Sequence, residues 1–249
     1  MIKPILFTTP RTGSTLITML LGNIAIQQCE YKNTLHEYFT ITSMYESHYK
    51  KNRNGITTQV SQIQKNYKWF DSERTIRLNR LKLLDNDYNY MIKLFSSDIE
   101  PEIEHMITQH YDIVYLERRD KIKQLLSWLH LIKSSVAHYH LKNNLSIGQI
   151  IYDPKLTNIL LLIIEKYYEF KKTHPSKFST IYYEDFMNAD NKELFLLNNL
   201  GLSNINHVYK KINTKPSPYK RDPETLIRNV NEWQLAKPGI LQFLNTLPK

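Results

Sequence analysis

The sequence holds a single cysteine, Cys29. No internal disulfide can therefore form, which fits a reducing compartment, and the expected location is cytoplasmic. A nucleophilic role for Cys29 lacks support, and it reads as a small buried residue. Long apolar runs are missing too. The longest, Ile159 to Ile164, is far short of the roughly 20 residues that cross a bilayer. It leads into Glu165-Lys-Tyr-Tyr-Glu-Phe-Lys-Lys, so a buried helix ending in a charged face is expected. The N-terminus carries no charged-then-apolar leader, its apolar residues belong to a first strand, and a soluble protein is expected. Metal-ligand clusters are equally scarce. The nine histidines are scattered, His138-Tyr-His140 is the only close pair, and no cysteine or carboxylate group completes a site, so no metal is expected.

What is present is a basic chain of 249 residues, with a formal charge of +9 and 41% hydrophobic residues. No internal repeat stands out, and one α/β domain over residues 1–249 is the simplest organisation. The charge implies a polyanionic partner. Lysine and arginine are spread along the chain, and the densest cluster, Lys50-Lys-Asn-Arg53, is brief, so nucleic acid is not the expected partner. Residues 43–75 are polar and rich in Lys, Asn, Gln and Ser, which suits an insertion or a lid over an acceptor.

The most informative stretch is Thr8-Thr-Pro-Arg-Thr-Gly-Ser-Thr15, set between the apolar runs Pro4–Phe7 and Leu16–Ile26. Strand, tight loop and helix is the expected arrangement. A helix N-terminus presents unpaired N–H groups and partial positive charge, which suit a phosphate. Gly13 permits close backbone approach, Thr12, Ser14 and Thr15 add hydroxyl donors, and Arg11 adds a fixed charge. The common triphosphate loop, Gly-x-x-x-x-Gly-Lys-Ser/Thr, is not there, because no lysine sits beside Ser14.

A second candidate anion site lies in Asp112-Ile-Val-Tyr-Leu-Glu-Arg-Arg-Asp-Lys-Ile-Lys-Gln-Leu-Leu-Ser127. Ile113 to Leu116 read as a buried strand. Ile122, Leu125, Leu126, Leu129 and Ile132 mark one face of a helix that Asp120 caps and that extends to about His140. Arg118 and Arg119 thus stand at a strand's carboxyl end, where open parallel sheets bind ligands. Ser127 follows Arg119 by eight residues, a little over two helical turns, so the two can converge on one ligand group.

Together these segments resemble the sulfotransferase superfamily, which uses 3′-phosphoadenosine 5′-phosphosulfate as donor. Thr9 to Leu16 is similar to its 5′-phosphosulfate loop, and Arg119 with Ser127 matches the arginine–serine spacing of its 3′-phosphate motif. The run Arg-Arg-Asp-Lys-x-x-Gln-x-x-Ser is closest to the trehalose-type members. His36-Glu-Tyr-Phe39 resembles their Glu-Phe-Phe segment, which makes Glu37 the implied base with His36 as its rival. Tyr183-Glu-Asp-Phe186 resembles a Tyr-Glu-Asp-Leu segment, whose tyrosine lies near the adenine. The glycine-rich Arg-Lys-Gly loop of many members has no counterpart. Pro218-Tyr-Lys-Arg-Asp-Pro-Glu224 stands there instead, with Lys220 and Arg221 as substitutes or as exposed residues before a last helix started by Asp222-Pro-Glu224.

The resemblance implies a parallel sheet flanked by helices, P-loop-like, and transfer of a sulfuryl group to an acceptor hydroxyl, carbohydrate or other small molecule. It leaves a homodimer open. Two other classes remain: a nucleotide or small-molecule kinase, and a non-catalytic basic module that binds nucleotide or nucleic acid. The remaining pattern predicts a strand over Tyr88–Phe95, helices over Pro101–His110 and Leu156–Thr173, a strand over Phe178–Tyr182, and a helix over Lys192–Leu200 stopped by Gly201. Lys93 lies inside an apolar stretch. Either its stem snorkels out of a sheet edge, or it points into the active site, as a lysine in a similar segment of the resembling family suggests.

Overall fold

The computed structural model describes residues 2–29, 31–35, 38–39, 73–84, 87–134, 150–202 and 223–248. Five strands form one parallel sheet: β1 (Pro4–Thr8), β2 (Asn33–Leu35), β3 (Tyr90–Phe95), β4 (Asp112–Glu117) and β5 (Ile181–Tyr182), in the order β2-β3-β1-β4-β5. All residues of β1 and β3 are buried, the continuous apolar signature of parallel strands covered on both faces. Eight helices are described: α1 (Ser14–Gln28), α2 (Glu73–Leu83), α3 (Pro101–His110), α4 (Lys121–Ser134), α5 (Pro154–Thr173), α6 (Tyr183–Asn188), α7 (Lys192–Asn199) and α8 (Val230–Thr246). The fold is α/β, as expected.

The strand order carries a functional consequence. From β1 the chain moves to β2 on one side of the sheet, whereas from β4 it moves to β5 on the other. The strand order therefore reverses between the adjacent strands β1 and β4, and such a switch point opens a crevice beyond the carboxyl ends. Register places Thr8 beside Leu116 at that edge. Both candidate anion segments begin there.

The core is built on aromatic stacking. Phe7 of β1 lies 4.4 Å from the ring of Phe170 and 5.5 Å from that of Tyr167, and meets Tyr115 edge-on, so α5 is laid across β1 and β4. At the end of β4, buried Glu117 accepts from Tyr168 Oη (2.7 Å) and Lys171 Nζ (2.5 Å), which fixes the same helix by charge. Helix α2, which no expectation covered, is anchored by two arginines. Arg80, 1% exposed, donates to the Tyr38 carbonyl (2.8 Å), and Tyr38 Oη donates back to the Arg80 carbonyl (3.0 Å). Arg77 pairs with Glu100 (2.9 Å) and lies 3.6 Å from Asp98.

Several boundaries differ from the sequence reading. β3 starts at Tyr90 because Tyr88 turns aside to stack on His110, centroids 3.9 Å apart. β5 is two residues long, and Phe178 instead sits in a turn whose backbone N–H is taken by Ser176 Oγ (2.9 Å). Ile159 to Ile164 is helical but only half-buried, with Ile159 and Leu162 on the solvent side. A short 3-10 helix does start at Pro223 (Pro223–Leu226), but the last α-helix starts at Val230 rather than at Asp222-Pro223-Glu224. Ile227 pairs with Ile150 as a parallel bridge, and that extended backbone interrupts any helix begun at Pro223. α3 spans Pro101–His110 as read, and Gly201 (φ 65°) closes α7 in the left-handed conformation. For α4, Asp120 Oδ1 caps Lys123 N–H (2.8 Å), and residues 135–140 of its expected length lie outside the described residues.

Helix α1 meets the sheet closely at Gly22. A Cβ there would lie 2.0 Å from Thr34 Oγ1 on β2. Gly22→Ala is expected to destabilise the fold by about 2 kcal/mol, the usual scale of overpacking. Adding Thr34→Ala should recover part of the loss in a denaturant titration. An unchanged midpoint in the single variant would contradict this packing.

Candidate functional site

The β1–α1 loop is a strained turn held by long-range bonds. Arg11 has φ 64° and Gly13 φ 75°, so two of three successive residues are left-handed. For arginine that conformation costs roughly 1–2 kcal/mol and must be compensated by its surroundings. Gly13 cannot be replaced without displacement, since a Cβ would lie 2.2 Å from the ring of Tyr183. Gly13 also stands at the N-cap of α1, offering no side-chain acceptor, and the first turn of α1 carries no acidic residue. Its N–H end and partial positive charge face the crevice edge without an acidic side chain in that turn.

The loop hydroxyls divide by role. Thr12 is fully buried, and its Oγ1 bonds Thr8 Oγ1 (2.7 Å) and the Thr9 carbonyl (3.0 Å). Thr8 Oγ1 also reaches the Leu116 carbonyl of β4 (3.0 Å). These hydroxyls set the loop's shape. Ser14 is buried and Thr15 exposed, at the first two positions of α1.

Helix α4 supplies the clamp. Gln124, wholly buried, donates through Nε2 to Thr9 Oγ1 and to the Pro10 carbonyl, both 2.7 Å. One turn on, Ser127 Oγ accepts from Arg11 Nε (3.0 Å). Arg118, just before α4, donates to the Arg11 carbonyl (3.3 Å). The peptide groups on both sides of the left-handed Arg11 are thus tied to α4 or its approach. The Gln124 Oε1 atom is buried without a hydrogen bond, a cost of about 1–3 kcal/mol that an apolar side chain would avoid. Its two donations to the loop offset part of that cost.

Arg119 turns the other way. Its guanidinium forms a bidentate pair with Asp185 of α6 and lies over the Tyr182 ring (4.1 Å), while Arg118 lies over Tyr183 (5.4 Å). Glu184 accepts from the backbone N–H of Arg119 (3.0 Å) and Asp120 (3.3 Å). The Asp185 bond holds the Arg119 charge, and Arg119 in turn pulls the Asp185 carboxyl below its ordinary range. The two motif partners therefore sit in separate pairs, Ser127 with Arg11 and Arg119 with Asp185.

Lys93 is 1% exposed and sits on β3, an interior strand, opposite Leu6. It does not leave by a sheet edge, which removes the snorkelling alternative; its ammonium lies 5.1 Å from the Phe95 ring centroid. Among the other expected site residues, Glu37, its rival His36, Lys220 and Arg221 lie outside the described residues, as do 43–72 of the expected insertion and the His138–His140 pair. Among the described residues no group of three His, Cys, Asp or Glu is placed to hold a metal ion, and no helix is long and apolar enough to cross a membrane. The chain matches no protein-family model and no curated protein sequence.

Sequence reasoning gave Gln124, Glu184 and Asp185 no role, and read Arg118 only as a cation at the strand's end, not as a donor to the Arg11 carbonyl. All four stood inside quoted motifs, yet nothing local says that a glutamine one turn before Ser127 reaches a loop more than a hundred residues earlier. His130, one turn beyond Ser127, was also missed. It is 3% exposed, and burial, then the Arg11 charge, pushes its pKa below the ordinary value. The folded protein thus binds this proton less readily than the unfolded chain, whose histidine titrates near about 6.5. Stability supplied here is full above that value and declines as pH falls towards the folded pKa. His130→Gln should therefore lose less Tm than wild type between about pH 7.5 and 5.5, measured by thermal melting. Equal losses would show that His130 does not titrate in this way.

Proposed function

We propose that this protein is a sulfotransferase, moving a sulfuryl group from 3′-phosphoadenosine 5′-phosphosulfate to an acceptor hydroxyl. The observation that supports the reading is the Arg11–Ser127 bond, which joins two motifs 116 positions apart across the switch point of the sheet. In this reading Gly13, Ser14 and Thr15 at the start of α1 receive the 5′-phosphosulfate, with Thr12 shaping the loop. Arg11 stabilises the negative charge that grows on the departing 5′-phosphate. Arg119 and Ser127 serve the 3′-phosphate and Tyr183 the adenine, with Lys220 and Arg221 closing the site.

The reaction is an in-line displacement. A bond forms from the acceptor oxygen to sulfur as the bond from sulfur to the 5′-phosphate oxygen breaks. The acceptor proton passes to Glu37. Lys93, buried in β3, adds positive charge beneath the reacting centre. A sulfuryl group carries less charge than a phosphoryl group, so the loop arginine and N–H dipoles suffice without the lysine and magnesium of a triphosphate site.

Adenosine 3′,5′-bisphosphate, the product nucleotide, is expected to raise the melting temperature in EDTA, and ATP with Mg²⁺ to raise it little. Stabilisation by ATP–Mg²⁺ alone would identify a kinase, and stabilisation by neither nucleotide would overturn the donor assignment. Glu37→Gln should lower turnover about a hundredfold while nucleotide affinity survives, the usual scale for a positioned base. His36→Asn should cost much less. The reverse order in steady-state assays would make His36 the base.

A further inference from the structure

We infer that Asp185 is a specificity-determining residue of the donor site: its carboxylate holds Arg119 where the donor's 3′-phosphate would, and so sets how strongly that phosphate is preferred. This inference rests on the sulfotransferase reading above.

The carboxyl end of β4 gathers groups that attract a dianion: the guanidinium groups of Arg118 and Arg119 and the backbone N–H groups of Arg119 and Asp120. Two carboxylates from the start of α6 already face them. Glu184 takes both backbone N–H groups and lies 3.9 Å from Arg118 Nε. Asp185 takes the Arg119 guanidinium through both of its oxygens.

The two carboxylates differ in how readily they can be replaced. Glu184 holds backbone donors, which cannot swing away. Asp185 holds a long side chain that is half exposed, and is itself 43% exposed. An ion pair this open to water is weak and easily screened. A phosphate dianion offers Arg119 the same bidentate geometry with more charge. A 3′-hydroxyl offers no charge, so a nucleotide lacking the 3′-phosphate leaves the Arg119–Asp185 pair intact. Asp185 thus opposes the 3′-phosphate by occupying its arginine, and only a doubly charged group at that position gains from the exchange. The stacking of Arg119 on Tyr182 keeps the guanidinium at the crevice when Asp185 releases it.

Calorimetric titration of wild type and Asp185→Asn with adenosine 3′,5′-bisphosphate and with adenosine 5′-phosphate tests this. The variant should bind the bisphosphate about fivefold more tightly at low salt, the scale of an exposed ion pair, and the 5′-phosphate unchanged. The gain should shrink in high salt. In an Arg119→Ala background the Asp185 substitution should have no effect on either nucleotide, because the contact it relieves is gone. Weaker bisphosphate binding in Asp185→Asn would overturn the inference, making Asp185 a residue that orients Arg119. An equal gain for both nucleotides would overturn it in favour of a general charge effect, and no change would overturn it outright. Wild-type protein that binds neither nucleotide would instead defeat the donor reading on which the inference stands.

Discussion

The left-handed turn at Arg11 is the constraint on which the rest of the site depends. An arginine with φ 64° is unfavourable by itself, and three contacts hold it: Gln124 on the preceding carbonyl, Arg118 on its own carbonyl, and Ser127 on its side chain. All three come from α4 or the residues leading into it. The loop after β1 is therefore shaped by a helix that follows β4. Strain at one segment and an orphaned amide oxygen at the other are tolerated together because each belongs to the same contact.

This dependence has a topological source. β1 and β4 are neighbours only because the chain fills one side of the sheet before crossing to the other. Had the strands been laid down in sequence order, Arg11 and Ser127 would lie strands apart. The aromatic layer of Phe7, Tyr115, Tyr167 and Phe170 then fixes α5 across both strands, and Glu117 secures the end of β4 from which Arg118 and Arg119 project. Packing beneath the crevice thus fixes the geometry above it.

Charge is distributed unevenly around that crevice. The Arg11 side has a helix N-terminus with no acidic residue in its first turn, whereas the Arg119 side is already matched by Glu184 and Asp185. The basic excess of the whole chain hides this asymmetry. Two arginines that look equivalent as cations differ in the partners they already hold, a hydroxyl for Arg11 and a carboxylate for Arg119.

The sequence by itself determined the α/β class, the central strands and the better-punctuated helices. Apolar runs such as Pro4–Phe7 read as buried strands, and Pro101 at a helix start, Asp120 at a cap and Gly201 at a stop act through nearby backbone. Where a boundary depended on a distant partner, local reasoning failed: Tyr88 left its strand for His110, and Ile227 left a helix for Ile150. The candidate site followed the same rule. Arg11, Gly13, Arg119 and Ser127 were legible as residue types at turn and helix positions. Which arginine meets which oxygen was not, because Arg11 reaches Ser127 across 116 positions of chain and Arg119 reaches Asp185 across 66, and only the tertiary arrangement sets those distances.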